Sequence, residues 1–64
     1  MKKQKLVKYL TEHGCCLVRE GSSHEYWRND GGTGSAAVPR HKEVKAQTIR
    51  SICRDLGIPA PVER

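Results

Sequence analysis

The chain contains no phenylalanine, one tryptophan, two tyrosines and one methionine, so little bulky apolar material is available for a core. No apolar run approaches the roughly 18 residues of a membrane-crossing helix. Met1-Lys2-Lys3 leads into polar sequence, not into the apolar segment of a secretory signal. These absences lead us to expect a soluble, cytoplasmic protein with no membrane partner. Cysteine is scarce as well, with three residues of which Cys15 and Cys16 are neighbours. Adjacent strand residues point to opposite faces, so this pair suits neither one disulfide nor one metal cluster. Cys15, Cys16 and Cys53 all sit in apolar patterns and read as buried free thiols. A structural zinc site needs four ligands in paired spacing, which the sequence lacks. We expect no metal and no other cofactor.

What is present is small and basic. At 64 residues the chain has room for one core. A domain near this size buries only about 60% of the surface its unfolded chain exposes, so a partner that covers part of it adds stability by mass action. The net charge of +5 and a pI of about 9.5 favour an acidic partner: nucleic acid, acidic protein or an anionic surface. The plainer alternative is a basic surface that only keeps the protein in solution.

Residues 2 to 13 read as a first helix, with Leu6, Val7 and Leu10 on its apolar stripe. Gly14 ends it as a left-handed cap, and His13 sits where a cation suits the helix dipole. Residues 15 to 20 read as a strand, and Gly21-Ser22 as a turn. Residues 23 to 28 form a second strand with strong β-formers at Tyr26 and Trp27. The cluster from Asn29 to Gly34 is a turn, and Ala36, Ala37 and Val38 make a short third strand closed by Pro39. A second helix runs from about Glu43 to Leu56, with Val44, Ile49, Ile52, Cys53 and Leu56 buried, and Gly57 and Pro59 stop it. The pattern predicts an α+β fold of order α-β-β-β-α: a three-stranded antiparallel sheet with both helices on one face, open on the other. We expect one domain over 1–58 and a loose tail over 59–64.

On the second strand His24, Tyr26 and Arg28 share one face, and Glu25 and Trp27 the other. Trp27, the largest apolar residue, reads as core. Sequence alone leaves open which face meets solvent. If it is the first, the row offers a proton-transfer group, a stacking ring and a phosphate-binding cation, a set suited to RNA. Histidine is singled out because its unperturbed pKa of about 6.5 lets it take and give a proton near neutrality. Arg40-His41-Lys42, running into Lys45 at the predicted start of the last helix, forms a second basic element. Helix N-termini attract anions, so this reads as a phosphate site or, more plainly, a solvated helix end. RNA scission needs no external nucleophile, because the ribose 2′-OH attacks the adjacent phosphorus. A base, some cations and an aligned geometry suffice, and general acid–base catalysis contributes about 10²–10⁴-fold.

Leu6 and Leu10, the Gly14 stop, Arg19, the run Gly21-Ser22-Ser23-His24-Glu25-Tyr26-Trp27 and the glycine turn form one half of a wider pattern. Val38-Pro39-Arg40-His41, Glu43-Val44 and Thr48-Ile49-Arg50-Ser51-Ile52 form the other. Together they resemble the HicA toxin family, from about residue 5 to Gly57. The resemblance implies a fold similar to a double-stranded-RNA-binding domain and the toxin of a type II toxin–antitoxin system. It implies metal-independent endoribonuclease activity on mRNA (an mRNA interferase), a cognate HicB-type antitoxin, and no DNA contact by the toxin alone. It places the catalytic histidine at His24, and His41 at the family's second histidine position, with a substrate-binding or structural role. Tyr26, Arg28, Arg40, His41, Lys42 and Lys45 are the expected RNA-binding residues. The chain departs from the family at Cys15, where a bulky aromatic is common, at Gln47, where glycine is common, and at the small Ala36-Ala37. These differences bear on packing more than on chemistry.

Two other readings compete with a ribonuclease that uses His24. One is a non-catalytic RNA-binding module with Lys42 and Lys45 on phosphates; the other is a small adaptor whose basic face docks an acidic protein. His24 separates them, since a pure binding module needs no titratable group there. The acid that partners His24 stays open among Tyr26, His41 and a lysine.

Overall fold

Leu6 and Leu10 stand one helical turn apart and are fully buried, which gives the first helix its inward stripe. The computed structural model describes residues 1–61. Its elements run α1 (Lys3–Glu12), β1 (Cys15–Glu20), β2 (His24–Asn29), β3 (Ser35–Pro39) and α2 (Ala46–Leu56), the α-β-β-β-α order predicted. The strands form one antiparallel sheet of order β1-β2-β3. Of the tail expected over 59–64, the last three residues lie outside the described residues. The Pro59 carbonyl, at the tail's start, accepts a hydrogen bond from the Tyr9 hydroxyl.

The register sorts side chains between faces. Trp27 lies opposite Leu17 and Ala36, and Glu25 opposite Val38. This face carries the core: Leu6 and Leu10 from α1 and Ile49, Ile52, Cys53 and Leu56 from α2 pack over Trp27 and Val38. Both helices thus cover one face, as the periodicity predicts. His24 opposite Pro39, Tyr26 opposite Ala37 and Arg28 opposite Ser35 belong to the other face. A β-bulge between Leu17 and Arg19 adds a residue to β1, and Val18 there is 58% exposed.

Two glycines close the helices with left-handed backbone, Gly14 at φ 80° and Gly57 at φ 75°. Gly34 serves close approach. A Cβ at this position would stand 2.5 Å from the Asp55 carbonyl oxygen and 2.7 Å from the Leu56 carbonyl. The β2–β3 loop therefore lies against the C-terminus of α2, and Asn29 Nδ2 bonds the Leu56 carbonyl at 2.8 Å.

Two expectations need correction. The second helix begins at Ala46, not Glu43. Residues 42–44 stay out of the helix because their backbone pairs with the chain start: Lys3 N donates to Lys42 O at 2.8 Å and Val44 N to Met1 O at 2.9 Å. Val44 is buried as predicted, but from the segment that precedes the helix. Cys15 and Cys53 are buried free thiols, whereas Cys16 is only half-buried and points its Sγ at Asp30 Oδ1, 3.5 Å away. Cys16 lies opposite Arg28, on the open face, where alternation places it once Cys15 points inward.

Candidate active site

Alternation along β2 leaves His24, Tyr26 and Arg28 exposed and buries Glu25 and Trp27. The row expected from the sequence therefore faces solvent. His24 opens the strand just after the turn, where Gly21 N bonds the His24 carbonyl at 2.7 Å. Its Nδ1 lies within hydrogen-bonding distance of Ser23 Oγ, 3.1 Å away.

The pairing of His24 with Pro39 sets the imidazole beside the segment leaving β3. The result is a cavity of about 550 Å³ whose walls include His24, His41, Glu43, Lys45 and Thr48. Two imidazoles and an ammonium thus share one concave site. Lys45 is the N-cap of α2, and no side chain caps that end; the first turn carries no acidic residue. Uncapped N–H groups and the dipole make this end favourable to an anion.

The remaining cations divide differently from the sequence expectation. Arg28 pairs with Asp30 at 3.2 Å on the exposed surface. Arg40 reaches back to the β1–β2 turn, where Nη1 donates to the Gly21 carbonyl at 3.0 Å. Arg40 and Lys42 do not join Lys45 at the start of α2. They line a second cavity of about 400 Å³, with Lys2, Lys3 and His41. The cause is the same pairing of residues 42–44 with residues 1–3 that delays α2. Among the described residues, no three His, Cys, Asp or Glu side chains converge as metal ligands. No helix among them is long and apolar enough to cross a membrane.

Sequence reasoning missed several members of this surface. Arg19 lies over the Tyr26 ring, its guanidinium carbon 4.4 Å from the centroid, so one face of the ring already carries a cation. Gly21 lets this ring approach: a Cβ there would stand 3.1 Å from Tyr26 Cε2. Thr48 belongs to the Thr48-Ile49-Arg50-Ser51-Ile52 motif, but that motif by itself gives it no role at the site; the cavity does. Glu25 did carry a signal, a carboxylate alternating onto the tryptophan face, which demands a partner. The partner is Lys3, whose Nζ lies 2.5 Å from Glu25 Oε2, while Trp27 Nε1 donates to Oε1 at 3.2 Å. The Lys3 hydrogen bond holds the Glu25 carboxyl below the usual glutamate range, against burial, with help from Trp27 and the charges of Lys3 and Arg40. Burial pushes the Cys15 and Cys53 thiols up, so neither is an activated nucleophile.

The family model described as the HicA toxin of bacterial toxin–antitoxin pairs matches residues 4–58. No curated protein matches the chain, and no solved structure does. The match runs from the first turn of α1 past the end of α2 and takes in both walls of the histidine cavity, so the chain belongs to the HicA toxin family.

Proposed function

We propose that this toxin is a metal-independent endoribonuclease that cleaves mRNA, with His24 as general base. The supporting observation is the shared cavity in which His24 and His41 stand with Lys45 and Thr48 at the uncapped start of α2. A phosphodiester seated there has its negative charge met by Lys45 and the helix end. His24 takes the proton of the ribose 2′-OH, and the 2′-oxygen attacks phosphorus. The P–O5′ bond breaks, and His41 as imidazolium returns a proton to the departing 5′-oxygen. The products are a 2′,3′-cyclic phosphate and a 5′-hydroxyl, so no water enters the step and the proton count balances. DNA lacks the 2′-OH and is not a substrate. Tyr26 and Arg28 extend the contact along the open sheet face, through base stacking and phosphate attraction.

The family implies a HicB-type antitoxin. In this reading an acidic antitoxin surface covers His24 and the surrounding cations together and so blocks substrate. The test is His24→Ala. Cleavage of a single-stranded RNA should fall by about 10²–10⁴-fold, while Trp27 emission and RNA binding stay as in the wild type. Wild-type cleavage should persist in a chelator and stop when the scissile ribose is 2′-deoxy. Undiminished cleavage by His24→Ala would refute the assignment.

A further inference from the structure

The second cavity shares only His41 with the chemistry just described. Its walls include Lys2, Lys3, Arg40, His41 and Lys42, with Glu43 as the one carboxylate. Lys3 is held by Glu25, and Arg40 by the Gly21 carbonyl, so both are fixed in place. Lys2 and Lys42 are exposed, and their ammonium groups make no ion pair or hydrogen bond among the described residues. Four cations on a concave wall form an anion site. His41 and Glu43 also line the His24 cavity, so the two depressions adjoin across these residues. A strand bound at His24 that continues past His41 enters the basic cavity.

We propose that this cavity is a second phosphate subsite, which holds a flanking phosphodiester of the RNA strand whose scissile linkage lies at His24. The proposal rests on the ribonuclease reading for its register, and on the cation cluster for its chemistry. Lys3 and Arg40 pre-position the wall, and Lys2 and Lys42 are the mobile donors that close on the phosphate.

The test compares the wild type with Lys2→Gln/Lys42→Gln, which leaves the Lys3–Glu25 pair intact. The substrate is a short single-stranded RNA with one cleavable linkage, made also with a single neutral methylphosphonate at each flanking position. The double variant should raise KM by up to about 5-fold for each lysine at unchanged kcat. The slope of log affinity against log salt should shrink by about 0.7 for one phosphate contact. One neutral linkage should weaken the wild type and leave the double variant unaffected. Unchanged KM and salt slope, or an equal penalty in both proteins at every linkage, overturns the subsite. Fluorescence anisotropy of the same RNA on His24→Ala separates the two readings. If the wild type fails to cleave, yet the lysine variant loses salt slope at one linkage, the subsite stands and the ribonuclease reading falls. Cleavage with no effect of the lysines removes the subsite alone, and no RNA binding at all removes both. Weakened antitoxin binding with RNA affinity untouched assigns the cavity to a protein partner and overturns the proposal.

Discussion

Glu25→Gln removes one negative charge from a buried site while keeping the side chain's size. Glu25 is 6% exposed, and its two oxygens accept from Lys3 and Trp27. The glutamine carbonyl can still accept from Trp27, so the loss falls on the Lys3 bond. A hydrogen bond to a charged group contributes about 1.5–3 kcal/mol. Lys3 keeps 23% side-chain exposure and can turn to water, so the larger penalty of a stranded buried charge does not apply. We expect a loss of about 2 kcal/mol at pH 7, from a total of about 3–10 kcal/mol for a chain this size. The midpoint of thermal unfolding should drop by roughly 8–16 °C. Urea unfolding followed through Trp27 emission measures this directly, since Trp27 is buried and the sequence holds no other tryptophan. The effect has a pH signature. The folded state holds the Glu25 carboxyl below its unfolded value of about 4.3, so the unfolded chain binds the proton more readily. The stabilisation is complete above that unfolded value and is lost as pH falls through the lower folded one. Wild type and variant should differ at pH 7 and converge in acid. An equal difference at pH 7 and in strong acid, or none at pH 7, would refute the ion-pair account.

Other substitutions test other parts of the fold and site. Gly34→Ala drives a methyl group into the backbone at Asp55 and Leu56 and should destabilise by about 2–4 kcal/mol in the same urea assay, through overpacking and loss of the Asn29 bond. Val18→Thr, at the exposed bulge, should change stability by less than about 0.5 kcal/mol. Tyr26→Leu should weaken RNA binding by about 1 kcal/mol, the low end for stacking because Arg19 covers one ring face, whereas Tyr26→Phe should bind as the wild type does; titration of labelled RNA reads both.

Much of this molecule was legible in one dimension. The 3.6-residue stripe of Leu6 and Leu10, the glycines that stop both helices, and the two-residue alternation through His24–Arg28 are local signals. Local sterics and side-chain direction turn them into structure directly. They place His24, Tyr26 and Arg28 in one row, and the family motifs single out His24. Which face of β2 meets solvent was decided by tertiary packing, since only the position of α1 and α2 buries Trp27 and Val38. The late start of α2 also came from the fold: residues 42–44 gain backbone partners in residues 1–3, some forty positions away, and those bonds compete with a helical turn. That pairing sends Lys42 toward Lys2 and leaves Lys45 with His24. Glu25 announced its need of a cation, but Lys3 among twelve Lys and Arg residues was chosen by the packing of α1 against the sheet. Periodicity and turn chemistry act over a few residues and can be read in order; partners brought together by closing a long loop are set only when the whole chain has packed.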